Sequence, residues 1–235
     1  LQDPSTAASL RKLLNDREPR VRYFAAVALG RLADGDAVDS LIKMLQENDD
    51  RDPVLRHGGV LGLTGAATAT QLAGLADHSS VAVRRAAVVA LRRQKSAEIA
   101  AFLQDAESSI VTEAARAIHD VPITDAVPAL AQLLSGDLSD EALARRVLAA
   151  NFVLGEPQHA EQLGEFASRE SASDAMRAED SIRTRCGWIR YTPRAMSPAV
   201  TRRCRISSAW ARSAFSMASS SVNNTAPFAT RVPGV

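Results

Sequence analysis

The sequence predicts an all-α fold, a solenoid of about five stacked helix pairs over residues 1–178, followed by a poorly structured C-terminal tail over 179–235. Three observations predict it. A phrase recurs about every thirty residues, as Val21-Arg22-Tyr-Phe-Ala-Ala-Val-Ala-Leu29, Leu55-Arg56-His-Gly-Gly-Val-Leu-Gly-Leu63 and Val83-Arg84-Arg-Ala-Ala-Val-Val-Ala-Leu91, with worn copies at Ile110 to Ile118 and Arg145 to Leu154. Self-similarity at such a period belongs to stacked repeats, each too small to bury its own apolar face. Apolar residues within the phrase keep helical spacing, and after residue 180 the acidic residues disappear.

The first element of each pair follows from the phrase. Val83, Ala86, Ala87, Ala90 and Leu91 stand at i, i+3, i+4, i+7 and i+8, one stripe of a helix, whereas a strand needs alternation with period two. The phrase-ending residues Leu29, Leu63, Leu91, Ile118 and Leu154 lie 34, 28, 27 and 36 residues apart, room for a short helix pair and its turns. Second elements are expected at Val38-Leu41-Ile42-Leu45, Leu72-Leu75, Ile99-Phe102-Leu103, Val127-Leu130-Leu134 and Leu163-Phe166, each after a polar break. Asp36, Ser96 and Asp125 in those breaks are candidate N-caps, able to accept hydrogen bonds from the first unpaired N–H groups of a helix.

Small residues at the phrase centre, Ala25-Ala26, Gly58-Gly59, Ala86-Ala87 and Ala114-Ala115, permit the close helix approach that stacking requires. Gly58, Gly59 and Gly62 each cost roughly 1 kcal/mol against Ala in a helix interior. The second repeat is therefore expected to be the softest unless tight packing compensates, and Gly59→Ala is expected to stabilise the domain.

The lead-in Asp52-Pro53-Val54-Leu55-Arg56 is partly repeated at Glu18-Pro19-Arg20-Val21-Arg22 and reduced to its end at Ser80-Val81-Ala82-Val83-Arg84. It resembles the short HEAT-like repeat. The resemblance implies that Arg22, Arg56 and Arg84 bond to acidic or carbonyl groups of a neighbouring repeat and are structural rather than ligand-binding.

The overall charge of +1 conceals a break. Residues 1–180 hold 19 Lys and Arg against 27 Asp and Glu, whereas 181–235 hold nine Arg and no acid. Both cysteines, Cys186 and Cys204, and both tryptophans, Trp188 and Trp210, lie in that basic tail. One reading makes it an arm for nucleic acid or an anionic surface; its arginines are scattered and no nucleic-acid motif accompanies them, so no nucleic-acid partner is expected. The favoured reading is out-of-frame translation. Residues 194–205 can be encoded so that a shifted frame reads Arg-Asp-Val-Thr-Gly-Arg-Tyr-Pro-Pro-Leu-Pro, and the coding DNA decides between the two. Starting at Leu1, the sequence is expected to be part of a longer protein. No stretch approaches the roughly 18 apolar residues of a membrane span, no leader marks export, and the compartment stays unassigned.

No constellation for catalysis, a metal or a cofactor is expected. His57, His78, His119 and His159 are spread without an i, i+4 pair, and the two cysteines form no Cys-x-x-Cys unit. Gly58 to Gly62 sits inside a helical phrase with no preceding strand, so it reads as packing and not as a phosphate loop. His78-Ser79-Ser80 lacks a nucleophile turn and reads as a helix cap. Asp49-Asp50 and Asp140-Glu141 read as solvated turns.

Beyond the repeats, four stretches resemble the middle region of large exported bacterial proteins that join a sorbosone-dehydrogenase-like propeller, a HEAT-like segment and a c-type cytochrome domain. They are Asp52 to Leu63, Ala76 to Leu91, Glu113 to Pro122 and Ala149 to Gly155, and the likeness covers about residues 50–178. The resemblance implies a spacer between a dehydrogenase and its haem acceptor, in an exported parent, and the family's catalytic residues have no counterparts here. The function expected from the residues is a non-enzymatic scaffold or protein-interaction module, with second-helix positions Lys43, Gln71, Glu98 and Gln132 as possible contacts for a protein partner or for neighbouring domains.

Overall fold

A computed structural model describes residues 6–136 and 138–168 of the 235. The tail over 179–235, with its cysteines and tryptophans, lies outside the described residues, as do 169–178 of the expected solenoid. In chain order the helices are α1 (Ala7–Leu13), α2 (Pro19–Leu32), α3 (Val38–Asn48), α4 (Pro53–Ala66), α5 (Ala69–Ala73), α6 (Val81–Gln94), α7 (Ser108–Asp120), α8 (Val127–Ala131), α9 (Glu141–Leu154) and α10 (Pro157–Ser168). The second element between α6 and α7 is a 3-10 segment, Ala97–Gln104, and a 3-10 turn over Gln132–Ser135 extends α8.

The chain is an all-α solenoid in two layers. The phrase-bearing helices α2, α4, α6, α7 and α9 stack one on the next as a first layer. Helices α1, α3, α5, the 3-10 segment, α8 and α10 form the second layer. Each second-layer element from α1 to α8 packs chiefly on the first-layer helix that follows it: α1 on α2, α3 on α4, α5 on α6, the 3-10 segment on α7 and α8 on α9. The packing unit is thus staggered by half a repeat from the unit read along the sequence.

Packing follows the apolar stripe. Leu29, Leu63, Leu91 and Ile118 are fully buried, each contributing about 2 kcal/mol relative to an exposed position. Leu154, at the end of the last phrase, is only half-buried. Ala25, Ala26, Ala86, Ala87, Ala114 and Ala115 are likewise inside, between the layers.

Glycine lets α2 and α4 approach to backbone contact. A Cβ on Gly65 would lie 2.1 Å from the Gly30 carbonyl oxygen, and one on Gly30 would lie 2.5 Å from that of Leu61. A Cβ on Gly59 would meet Leu45 Cδ2 at 2.6 Å and Cγ at 2.7 Å, and Leu45 is itself buried. The expectation that Gly59→Ala stabilises the repeat is therefore overturned. Close packing at these glycines offsets part of their helix penalty.

Several helix starts carry a side-chain cap, and α3 and α8 begin from a 3-10 turn instead. Asp52 accepts from the N–H groups of Val54 and Leu55, Asp140 from those of Ala142 and Leu143, and Ser80 from that of Val83. Thr68 and Gln71 form a reciprocal capping box on α5. Ser96 caps the 3-10 segment through the Glu98 N–H. Asp36 and Asp125 do not cap: each sits inside a one-turn 3-10 helix, Gly35–Ala37 or Thr124–Ala126, that leads into the α-helix.

Candidate interaction surface

The phrase places arginine on the first layer. Its five helices carry eleven Arg against three acids, Glu113, Asp120 and Glu141. Most other acids stand in the turns, where carboxylates suit helix N-termini, so cation and anion meet between helix and turn.

Arg84 makes the fullest of these ties. Its Nε and Nη2 donate to the two carboxylate oxygens of Asp105 at 2.8 and 3.1 Å, and its Nη1 donates to the His78 carbonyl at 2.7 Å. The Asp105 side chain is 2% exposed. Burial pushes its carboxyl up, but the hydrogen bonds from Arg84 and the Glu107 N–H and the guanidinium charge outweigh this, leaving it below the usual range. Arg56 stands 3.5 Å from Asp50, which also accepts from Arg85. Arg22 has a buried Nε with no hydrogen-bond partner among the described residues. Of the three phrase arginines, the structure gives a forked carboxylate bond to Arg84 alone.

Further ties run between repeats. Arg11 donates to Asp34 and Asp36 at 3.1 and 2.9 Å, which is what occupies Asp36 in place of a cap. Arg92 joins α6 to Glu113 of α7 at 2.9 Å, and Arg146 joins α9 to Asp120 at 3.0 Å. Thr112 donates to Asp140 at 2.7 Å. Arg146 first, then His119, holds the Asp120 carboxyl below the ordinary range, and Thr112 and the α9 N–H groups do so for Asp140.

Two amides, the half-buried Gln94 and the buried Asn151, serve the same end. Gln94 Nε2 donates to the Thr64 and Ala67 carbonyls at the end of α4, both at 2.9 Å. Asn151 Nδ2 donates to Ala131 and Val147 carbonyls at 3.0 Å, and its Oδ1 faces His159 Nδ1 at 3.1 Å. Sequence reasoning missed both, although Asn151 breaks the apolar stripe one turn after Val147, and a polar residue there must find partners.

The four second-layer positions read as possible contacts are all exposed. Three are engaged locally: Lys43 lies 3.8 Å from Glu47, Gln71 completes the α5 capping box, and Glu98 accepts from the Ser96 hydroxyl. Gln132 lines a cleft of about 590 Å³ between the end of α8 and α10, with His159 and Glu165. The histidines remain apart; His78 Nδ1 accepts from the Ser80 N–H at 3.1 Å. Among the described residues no three of His, Cys, Asp or Glu cluster, and no helix is long and apolar enough to cross a membrane.

A second groove, of about 580 Å³, runs between α4 and α6 on the first layer. Val60, Ala86 and Val89 line it together with Arg56, Arg85, Arg93 and His57. Arg93 and His57 are exposed. Glu113, also at the groove, is held by Arg92 and Arg116.

Residues 1–64 match the family model for HEAT repeats. No curated protein matches the chain. Among solved structures, an engineered protein from a structural genomics consortium aligns at a TM-score of 0.40 and 18% identity, over 77% of this chain and 97% of that one. Human deoxyhypusine hydroxylase in complex with glycerol aligns at a TM-score of 0.29 and 14% identity, over 86% and 82%.

Proposed function

We propose that the chain is a non-enzymatic helical-repeat scaffold that acts by binding protein, either a separate partner or neighbouring domains of a longer chain. The observation that carries this reading is the use of charge. Arg84, Arg85, Arg92, Arg11 and Arg146 hold turns and repeats to one another, which stiffens a ribbon whose long faces remain for contact. HEAT repeats in residues 1–64 support it, since stacked helical repeats present extended binding surfaces. Cross-linking mass spectrometry in the native host tests it through Lys12, Lys43 and Lys95, exposed and spread along the solenoid. The expected result is cross-links from all three to one protein, which then forms a complex of fixed stoichiometry with the purified chain. A chain that stays unassociated would sink the reading.

The four stretches that resemble the dehydrogenase and cytochrome proteins favour a more specific form, a spacer between two redox domains. Sequencing upstream of Leu1 tests it: a propeller-length coding region in frame supports the spacer, and its absence removes it.

A further inference from the structure

The first layer carries most of the arginine, and turn acids match much of it, Arg84 with Asp105 and Arg56 and Arg85 with Asp50, but not all. First-layer helices carry eleven Arg and three acids, whereas the second-layer helices carry Arg11, Lys12 and Lys43 against five acids, Asp39, Glu47, Glu98, Glu161 and Glu165. One arginine that is left over stands in the groove between α4 and α6. Arg93 is exposed and has no acidic partner among the described residues, and the Arg56 side chain is 38% exposed with Asp50 at 3.5 Å. Glu113, at the same groove, is already matched by Arg92 and Arg116. The floor is aliphatic: Ala86 is fully buried and Val60 is 5% exposed.

We propose, on the scaffold reading above, that this groove binds an acidic peptide segment of a partner protein, with carboxylates on Arg93 and Arg56 and an aliphatic side chain over Val60 and Val89. A guanidinium takes a carboxylate through two parallel hydrogen bonds, and a partly desolvated groove strengthens them. The partly exposed Val89 beside Val60 adds apolar burial that a purely charged ligand cannot use. Single-stranded nucleic acid fits less well, since successive bases need a row of aromatic platforms for stacking, and the groove's lining has no Phe, Tyr or Trp and a single imidazole, His57.

The test uses the full 235-residue chain and a fluorescein-labelled decapeptide of alternating Glu and Val, read by anisotropy. The nine arginines after residue 180 attract anions whatever the groove does, so the readout is the difference between the chain and its variants. Arg93→Glu with His57→Glu, both at exposed positions, is expected to weaken the peptide about tenfold, and Arg20→Glu on α2 to leave it unchanged. A Gln-for-Glu peptide is expected to lose the variant-sensitive binding. Equal affinity for the chain and its groove variant, or variant-sensitive binding of dT12 tighter than that of the peptide, overturns the proposal. A cross-linked complex that persists in the groove variant removes the groove assignment and leaves the scaffold standing; absence of any complex removes both.

Discussion

At the scale of single residues, a missing Cβ at Gly65 and the buried carboxylate of Asp105 are two sites where one substitution tests the packing. Gly65 faces the Gly30 carbonyl so closely that any side chain must push α2 and α4 apart. Gly65→Ala gains roughly 1 kcal/mol of helix propensity but overpacks a backbone contact, which costs typically 1–3 kcal/mol and more when backbone must move. The expected net loss is about 2 kcal/mol, seen as a drop of roughly 4–8 °C in Tm; an unchanged or higher Tm would contradict the close approach. Asp105 governs the response to acid. Its folded carboxyl titrates below the unfolded one, as do those of Asp120 and Asp140, so their stabilisation is complete above the unfolded Asp value of about 3.9 and is lost as pH falls through the lower folded values. Breaking the Arg84 pair with Asp105→Asn leaves a half-buried guanidinium short of its charged partner, at a cost of about 2 kcal/mol at pH 7. Circular dichroism against pH is expected to show the wild type losing helix below about pH 4, with the variant less stable at neutrality and flatter in acid. A variant as acid-sensitive as the wild type would place the titration elsewhere.

At the scale of elements, the first-layer helices were legible because the phrase repeats both its apolar spacing and its small centre, and the five helices contain the five phrases. Second elements were less so. Ile99 and Phe102 stand three apart, a spacing that α and 3-10 helices share, so the side chains alone could not announce the 3-10 segment. Caps were legible at Ser96 and in the His78-Ser79-Ser80 stretch, and misleading where a 3-10 turn leads into the α-helix, as at Asp36 and Asp125. Of the groove, the sequence showed only isolated arginines; which of them remain free depends on distant acids such as Asp50. Helix ends were silent. α6 stops at Lys95 with φ 55°, its N–H bonded to the Arg92 carbonyl and the Ser96 N–H to that of Leu91. A left-handed turn of this kind favours glycine, and an L side chain there costs roughly 1–2 kcal/mol. Lys95→Gly is expected to stabilise the chain by about 1 kcal/mol, since the side chain is exposed and the turn keeps its bonds. Chemical denaturation checks it: a midpoint shifted upward with unchanged slope agrees, and a downward shift does not.

At the scale of the whole molecule, the half-repeat stagger decides how far a local fault travels. Because α3 rests on α4 and α8 on α9, each layer contact is also a contact between successive repeats, and the ties from Arg92 to Glu113 and from Arg146 to Asp120 cross the same boundaries. Such a chain is coupled only to its neighbours, so its stability approximates a sum of repeat and interface contributions. Forcing α2 and α4 apart should then open the amino-terminal repeats while those around α9 keep their own packing and the Asn151 hook. Native-state hydrogen exchange on Gly65→Ala tests this. Amides of α2 and α4, such as those of Leu29 and Leu63, are expected to exchange about tenfold or more faster, whereas those from Val147 to Asn151 hold nearly to the wild-type rate. Uniform acceleration from α2 to α9 would instead mean that the ties bind the repeats into one cooperative unit, and that the scaffold opens as a whole or not at all.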